Sequence, residues 1–504
     1  MRTVRDLIDQ QAAARPEQTF LLAPETGQAF TYGQLQADCR SLGHFLLQSG
    51  QKKGDKVSLM LHNGYQTARL FLGAMYSGFV VCPINLLAQP SQLHYVVDHS
   101  DTKLVFVAAD NLEQLKSALE NIARSVRLVL VDVDSSSLPG ENNLPELPLP
   151  NIEEDDDALL MYTSGTTGKP KGVLLTHKNV IAGGQYTSAA HQLTPADRVL
   201  CVLPLYHING QIVTTIAPLV HGGSVVMPHR FSVSSYWEMV AQYRCTWLNI
   251  VPTIVSYLLN APASQASAGN SNNQHVRFCR SASSSLPPSL HRAFEDKFGI
   301  SMIETMGLTE TAAPAFSNPL EPSRRKYGSP GLAFGNEAKV VDPRGNTLGP
   351  HQPGEIMVRG ENVMRGYYKA PEQTAGALEP DGWLHTGDIG YVDADGFYFI
   401  TSRIKELIIK GGENIAPREI DEALLKHPAV LEVAAVGMPD EHYGQEILAC
   451  VVLKPGSSCS SEELQDFSLK ELGKYKTPKL IKFMDSLPKG PSGKVQRLKL
   501  LEGL

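Results

Sequence analysis

The segment Met161-Tyr-Thr-Ser-Gly-Thr-Thr-Gly-Lys-Pro-Lys-Gly-Val173 is the most informative part of this chain. Its glycines let the backbone bend and approach a ligand without Cβ clashes. Backbone amides, hydroxyls and ammonium groups crowded into one loop suit a polyphosphate, because all of them favour negative charge. We therefore predict a phosphate-binding loop. Its candidate ligand-binding residues are Thr163, Ser164, Gly165, Thr166, Thr167, Gly168 and Lys171.

Two other interpretations of this loop are less favoured. A P-loop of the GxxxxGK[ST] kind needs Ser or Thr after its lysine to hold magnesium, whereas Pro170 follows Lys169 here. A P-loop kinase or ATPase is therefore disfavoured. A flexible linker is the second alternative, but ordinary linkers do not interleave Thr-Gly pairs with two lysines.

The composition is ordinary for a globular protein and excludes several function classes. With 504 residues the chain is too long for one hydrophobic core, so we expect two or more domains. A net charge of −7 does not favour nucleic acid or anionic membranes as partners. The seven cysteines form no CxxC pair, which argues against a disulfide framework or a zinc site.

No targeting or membrane signal is visible in the sequence. The N-terminus lacks the apolar core of a signal peptide. The longest apolar run, Leu70 to Cys82, is too short to span a bilayer. We therefore predict a cytoplasmic protein with no integral membrane association.

Strand-like and helical patterns alternate through most of the chain. Between residues 30 and 130, short apolar runs such as Lys56–Leu61 and Lys103–Val107 flank a helical pattern from Gln66 to Ser77. Such runs are typical of buried parallel strands, and their alternation with helices predicts an α/β architecture. A second α/β stretch follows the phosphate loop, and residues 326–402 are rich in glycine, strands and turns.

The character of the sequence changes after Arg403. Val430–Val436 and Ile447–Leu453 are strand-like, with a predicted loop from Asp440 to Gly444 between them. Ser460 and Glu463 are spaced as a helix capping box. We therefore predict a large N-terminal α/β domain of several subdomains over residues 1–402 and a small α+β domain over residues 403–504.

The phosphate loop resembles the signature of the adenylate-forming superfamily. This superfamily contains acyl-CoA synthetases, adenylation domains of peptide synthetases and luciferases. The resemblance implies that a carboxylate reacts with ATP to give an acyl-adenylate and pyrophosphate. It also implies transfer of the acyl group to a thiol, so ATP, Mg²⁺ and coenzyme A are the expected ligands.

The motif Glu304-Thr-Met-Gly-Leu-Thr-Glu310 resembles the E-x-Y-G-x-T-E motif of this family. By the resemblance, Thr309 contacts phosphate, and Glu310 binds magnesium together with Thr163. A carboxylate suits this hard cation. Met306 replaces the family's tyrosine, which stacks on adenine and borders the acid pocket. A thioether can still cover a ring.

Further motifs imply the remaining nucleotide contacts. Ser283 lies in Ser281–Pro287, where the family has its adenine loop, although the match is loose. The motif Asp381-Gly-Trp-Leu-His-Thr-Gly-Asp388 closely matches the ribose motif. One carboxylate can accept both ribose hydroxyls, which suits Asp388. Arg403 matches the arginine that supports ribose and phosphate.

The C-terminal motifs imply a mobile lid. Lys405 falls at the family's hinge, about which the small domain rotates between adenylation and thioester formation. Gly411 and Gly412 match the loop that lines the pantetheine tunnel in the second half-reaction. Lys494, in Leu487-Pro-Lys-Gly-Pro-Ser-Gly-Lys494, matches the lysine that catalyses adenylation, where an ammonium offsets developing negative charge.

The acid pocket is identified by motif position. His207, in Pro204-Leu-Tyr-His-Ile-Asn-Gly210, is the candidate gate between nucleotide and acid. The predicted pocket residues are more polar than those of a fatty-acid tunnel, which favours a polar acid. The segments Tyr206-His-Ile-Asn209 and Phe231-Ser-Val-Ser-Ser-Tyr-Trp237 resemble synthetases acting on short polar acids, and this resemblance implies a carnitine-type substrate. The other predicted pocket residues are Asn209, Gln211, Thr253, Arg280, Ser283 and Met306.

The sequence therefore predicts an AMP-forming acyl-CoA synthetase. The first alternative is the same adenylation chemistry with transfer to a carrier-protein phosphopantetheine or to an amine. The second is a catalytically dead nucleotide-binding protein, which Met306 favours and Lys171, Glu310, Asp388 and Lys494 oppose. The identity of the acid stays open, as does the oligomeric state, for which a homodimer is one candidate.

Overall fold

A computed structural model of the protein describes residues 3–141, 144–163, 170–262, 273–490 and 494–502. Five predicted phosphate-loop residues lie outside this part of the chain. They are Ser164, Gly165, Thr166, Thr167 and Gly168.

Strands and helices alternate along the chain, as the sequence predicted. The strands are β1 Thr19–Ala23, β2 Gln28–Thr31, β3 Lys56–Met60, β4 Val80–Pro83, β5 Leu104–Val107, β6 Arg127–Leu130, β7 Asp157–Thr163, β8 Lys171–Thr176, β9 Arg198–Leu200, β10 Ser224–Val226, β11 Trp247–Ile250, β12 Phe278–Ser281, β13 Met302–Leu308, β14 Ala313–Ser317, β15 Leu332–Ala333, β16 Glu337–Val341, β17 Gly354–Arg359, β18 Gly366–Tyr367, β19 Leu384–Val392, β20 Tyr398–Arg403, β21 Ile408–Lys410, β22 Glu413–Ile415, β23 Val430–Asp440, β24 Gly444–Leu453 and β25 Leu480–Phe483.

The α-helices connect and cover these strands. They are α1 Val4–Ala14, α2 Tyr32–Gln48, α3 Tyr65–Tyr76, α4 Pro90–His99, α5 Leu112–Leu119, α6 His177–Ala190, α7 Ala217–His221, α8 Tyr236–Gln242, α9 Pro252–Leu259, α10 Pro288–Phe298, α11 Pro371–Ala375, α12 Pro417–Leu424 and α13 Ser461–Leu472. A π-helix covers Asn209–Ile216, and short 3₁₀ turns cover Ala109–Asn111, Thr309–Thr311, Pro322–Arg324, Ile404–Glu406 and Arg497–Leu501.

Two large sheets form the N-terminal part. One has seven strands in the order β18-β8-β7-β4-β3-β5-β6, and the other has nine in the order β15-β14-β13-β12-β11-β9-β10-β1-β2. The central pairs are parallel in both sheets, for example β3 with β4 and β11 with β12. The predicted parallel strands of the α/β architecture are therefore confirmed.

The main hydrophobic core lies between the two large sheets. Neighbouring residues of a strand point to opposite faces. Val199 and Trp247 therefore face the shared core, together with Val57 and Val81 of the other sheet. Leu248, next to Trp247, faces a second cluster that α8, α9 and α10 cover. The sequences of these buried strands are continuous apolar runs because both faces of each strand are covered.

Two smaller sheets complete the fold. The strands β16-β17-β19-β20 form an antiparallel sheet, and residues from β21 onward form a C-terminal sheet with its own hydrophobic clusters. The helix start of the predicted capping box is confirmed, since Ser460 Oγ accepts from the backbone N–H of Glu463 at 3.1 Å. The boundary between residues 402 and 403 stays a prediction.

Two paired strands are longer than predicted, since β24 begins at Gly444 rather than at Ile447. β23 continues beyond Val436 to Asp440, because Met438 and Pro439 pair in register with Glu446 and Gln445 of β24. The predicted loop is thus a tight turn. In the described residues, no helix combines the length and apolarity needed to cross a bilayer.

Candidate active site

A cavity of about 270 Å³ lies between the N-terminal part and the C-terminal part of the chain. The N-terminal part contributes Ser283, Met306 and Asp388, and the C-terminal part contributes Arg418 and Lys494. These residues are far apart in sequence, yet four of the five were predicted to act at one site. The structure therefore brings the two ends of the predicted motif series together.

Asp388, which is buried, and Arg403, which is half-buried, form an ion pair at one wall of this cavity. They are register partners across β19 and β20, and Arg403 Nε donates to Asp388 Oδ1 at 2.8 Å. The charge of Asp388 raises the pKa of Arg403. Asp388 is 3% exposed, and its Oδ2 has no hydrogen-bond partner among the described residues. This free acceptor at the cavity suits a hydroxyl donor, as the predicted ribose contact requires.

Lys494 lines the same cavity from the C-terminal part. Burial lowers the pKa of its ammonium, and the positive charge of Arg403 lowers it further, whereas Glu406 and Asp388 oppose this shift. An ammonium in such a confined place interacts strongly with a ligand of opposite charge, because little water screens it. The chemistry fits the electrostatic role that the motif implies.

Gly411 and Gly412 do not line the cavity in this structure. They are exposed in the turn between β21 and β22, with φ of +54° and +87°. Residues with a Cβ adopt such backbone angles only rarely, so glycine is favoured there. The C-terminal part thus presents Lys494 to the cavity and keeps its paired glycines on another face.

The predicted phosphate and metal residues lie together near β8. Thr163 pairs with Lys171 across β7 and β8. Lys171 Nζ lies 4.5 Å from the ring centroid of Tyr367, whose hydroxyl donates to Glu310 Oε1 at 3.0 Å. Burial lowers the pKa of Lys171, and the charge of Lys405 adds to this effect. A carboxylate and a hydroxyl in one place fit the oxygen ligands that Mg²⁺ prefers.

Two local features accompany this cluster. Thr309 begins the 3₁₀ turn that holds Glu310, and Lys405 lies in the turn Ile404–Glu406 directly after Arg403. Tyr367 was missed from the sequence. It lies in a two-residue strand with no phosphate-type pattern, so only its contact with Glu310 reveals it.

The adenine-loop candidate has a strained backbone. Ser283 has φ of +71°, a value uncommon for a residue other than glycine. Such strain is often found at binding sites. Ser283 and Met306 both line the cavity, and Met306 packs beside Phe316 and Tyr398.

The predicted acid-pocket residues are divided between the cavity wall and a layer behind it. Thr253 lines the cavity with Ser283 and Met306. Asn209 and Arg280 do not line it; instead, Asn209 Nδ2 donates to Ser283 Oγ at 3.2 Å from behind. Their role in the acid pocket stays a prediction.

Two further predicted residues do not line this cavity either. Gln211 is fully buried, and its Nε2 donates to the backbone oxygen of Leu205 at 2.6 Å, so its amide supports the chain rather than the cavity. His207 is half-buried, and its Nδ1 accepts from the backbone N–H of Asn209 at 3.3 Å. Burial lowers the pKa of His207 to about 4, so this imidazole is neutral at physiological pH.

Asn249 is a second residue that sequence reasoning missed. Arg280 Nη1 donates to Asn249 Oδ1 at 2.7 Å and to Asn209 Oδ1 at 3.0 Å. Asn249 is also the register partner of Arg280 across β11 and β12. The available signal was one amide inside the apolar strand Trp247-Leu-Asn-Ile250, which a fully buried strand tolerates only with a partner.

Comparison with known proteins agrees with this geometry. Residues 8–368 match the model of the AMP-binding enzyme family, and residues 419–494 match that of the AMP-binding enzyme C-terminal domain. The chain is 56% identical to the sulfoacetate–CoA ligase of Cupriavidus necator, over 99% of this chain and 97% of that protein. It is 35% identical to the oxalate–CoA ligase of Arabidopsis thaliana, over 91% and 90% of the two chains.

A solved structure also matches over nearly the whole chain. MatB of Rhodopseudomonas palustris with ATP bound is 28% identical and superposes with a TM-score of 0.91, covering 99% of this chain and 98% of that one. The apo form of the same protein, with the same coverage and identity, superposes with a TM-score of only 0.78. The arrangement of this chain is thus closer to the ATP-bound form.

Proposed function

Because this chain belongs to the AMP-binding enzyme family and is an ATP-dependent acid–CoA ligase, we propose that its acid is short and carries a second acidic group. Sulfoacetate is the first candidate. The 56% identity to a sulfoacetate–CoA ligase over nearly the whole of both chains supports this choice. The small cavity, with Thr253 and Ser283 in its wall, also suits a short polar acid better than a fatty chain.

The reaction has two steps. The substrate carboxylate attacks the α-phosphorus of ATP, giving acyl-AMP and pyrophosphate. The thiol of coenzyme A then attacks the acyl carbon, a thioester forms, and AMP leaves. Coenzyme A supplies the thiol, so no cysteine of the protein acts as nucleophile.

The placement of Lys494, Asp388 and Arg403 on one cavity is the observation that carries the assignment of roles. Lys494 offsets the charge that develops between the carboxylate and the α-phosphate. Asp388 accepts from ribose hydroxyls through its free Oδ2, and Arg403 holds that carboxylate in place. Met306 covers the adenine from β13, and Ser283 borders it.

The phosphate end of the site is assigned to the cluster beside β8. Lys171 and Thr309 contact the phosphates, with the loop that begins at Thr163. Glu310 and Thr163 hold Mg²⁺, which would neutralise phosphate charge when bound. Tyr367 fixes the Glu310 carboxylate by donating to one of its oxygens, which leaves the other available.

The C-terminal part acts as a lid that begins at residue 403 and turns at Lys405. In the present pose Lys494 faces the cavity, as adenylation requires, and Gly411 and Gly412 face away. Rotation would bring the paired glycines to the site for thioester formation. The higher similarity to the ATP-bound form of MatB supports the adenylation pose.

A panel of acids tests the proposed substrate. Pyrophosphate release is followed with ATP, coenzyme A and sulfoacetate, oxalate, acetate, carnitine or octanoate, and the thioester product is checked by mass spectrometry. We expect the highest kcat/KM with sulfoacetate. A preference for octanoate or acetate over both doubly acidic substrates would contradict the proposal.

The proposal also covers the cellular compartment and the oligomeric state of the protein. All seven cysteines are free thiols and six of them are buried, which is consistent with a reducing, cytoplasmic environment. The homodimer stays a prediction, and sedimentation velocity of the purified protein would check it.

A further inference from the structure

Among the described residues, two arginines are almost completely buried, and they differ in their partners. Arg69 and Arg280 are each 2% exposed. Arg69 forms an ion pair with the buried carboxylate of Glu141, and Asp38 lies 3.8 Å away. Arg280 has only the amide oxygens of Asn209 and Asn249. Among the described residues no carboxylate pairs with it.

The charge of Arg280 is therefore uncompensated by the protein. Burial lowers the pKa of its guanidinium to about 9, so it is still charged at physiological pH. Its Nε is buried and lacks a hydrogen-bond partner in the described part of the chain. A buried charge without a counter-ion is unfavourable, so a ligand of opposite charge would relieve this cost.

The hydrogen bonds around Arg280 lead towards the cavity. Its Nη1 donates to Asn209 Oδ1, and Asn209 Nδ2 in turn donates to Ser283 Oγ. Because Ser283 Oγ accepts this bond, its own hydroxyl proton is available to donate into the cavity that it lines. Each bond polarises the next, so the positive charge strengthens the donor at the cavity wall.

We propose that Arg280, acting through Asn209 and Ser283, is the specificity-determining residue for the second acidic group of the substrate. This inference rests on the proposed function and extends it. The ligand chemistry is a short carboxylic acid whose other end bears a sulfonate or a second carboxylate. That anion accepts from the Ser283 hydroxyl and supplies the counter-charge that the protein lacks.

The test compares two carboxylic acids of similar shape that differ at the end opposite the carboxylate, which is charged in one and uncharged in the other. Sulfoacetate carries a sulfonate, whereas methylsulfonylacetate has an uncharged sulfone in its place. Arg280→Gln should lower kcat/KM for sulfoacetate on the order of 10²-fold, since a buried charge then loses its partner. It should change kcat/KM for methylsulfonylacetate and the KM for ATP by less than about threefold. Arg280→Lys, which keeps the charge, should recover part of the selectivity.

Each outcome decides between the alternatives. An equal loss with both acids would make Arg280 a structural residue and overturn the inference. If the wild-type enzyme prefers methylsulfonylacetate to sulfoacetate and oxalate, the proposed function fails before any variant is measured. The wild-type ratio of oxalate to sulfoacetate distinguishes a carboxylate from a sulfonate as the second group.

A second variant keeps the inference testable if Arg280→Gln has a folding defect. If thermal melting shows that Arg280→Gln does not fold, Ser283→Ala carries the test, because it removes only the hydroxyl at the cavity wall. It should lower the ratio of kcat/KM for sulfoacetate to kcat/KM for methylsulfonylacetate about tenfold, because any effect on the adenine contact is shared by both acids. Unchanged selectivity in Ser283→Ala would overturn the relay from Arg280 to the cavity.

Discussion

Replacing Lys494 with Ala should separate the two half-reactions. The ammonium is buried at the cavity beside Arg403 and Asp388, so its effect on a developing negative charge is little screened. Loss of one such preorganised contact costs about 2.7–4 kcal/mol of transition-state stabilisation. That corresponds to a rate reduction on the order of 10²–10³ in acyl-AMP formation.

Two assays measure the half-reactions separately. Acyl-AMP formation is measured as acid-dependent pyrophosphate release in single turnover, and thioester formation is measured from supplied acyl-AMP and coenzyme A. Only the first should slow, because the lid presents its other face in the second. If Lys494→Ala lowers both rates equally, the two-pose lid is wrong.

Lys489 provides a matched control for this prediction. It lines the same cavity and lies five positions before Lys494, but its ammonium pairs with Glu432 at 2.7 Å. Lys489→Ala should therefore change acyl-AMP formation by less than about fivefold. A loss as large as that of Lys494→Ala would mean that general positive charge at the cavity, rather than the position of Lys494, supports adenylation.

The pH dependence of acyl-AMP formation gives an independent check of the role of Lys494. Because the pKa of Lys494 is lowered, it loses its proton at a lower pH than an ordinary lysine does. Acyl-AMP formation should therefore decline on the alkaline side at a pH below the usual lysine range. The residual activity of Lys494→Ala should lack this decline, and a profile of unchanged shape would contradict the assignment.

The remaining predictions concern the nucleotide contacts and the hinge. Met306→Tyr should lower the KM for ATP and narrow the range of acids, since a flat ring stacks on adenine better than a thioether; unchanged values for both would place Met306 outside the site. Asp388→Asn should raise the KM for ATP roughly tenfold or more, while leaving the KM for 2′,3′-dideoxy-ATP nearly unchanged; equal increases would exclude a ribose contact. Lys405→Pro should keep pyrophosphate release and lose thioester formation, because proline restricts φ at the turn; retention of both reactions would exclude the hinge.

Local sequence patterns were sufficient for the architecture and for most of the candidate site. Apolar runs such as Lys56–Leu61 predicted parallel strands because burial on both faces removes the need for polar alternation. The spacing of Ser460 and Glu463 predicted a helix start because capping involves only neighbouring residues. The order of the motifs from Thr163 to Lys494 predicted a common site, since each motif is contiguous in the chain, and Ser283, Met306, Asp388, Arg403 and Lys494 do line one cavity.

Only the tertiary structure determined which side chains meet and which of them lack a partner. Tyr367 reaches Glu310 across 57 positions, and Asn249 reaches Arg280 across 31 as its register partner; no short pattern encodes either contact. The sequence contains both Arg69 and Arg280 in apolar surroundings and does not distinguish them. Strand and helix packing supplies Glu141 to Arg69 and only neutral amides to Arg280. The physical reason is that secondary structure depends on neighbours in the chain, whereas charge compensation depends on neighbours in space.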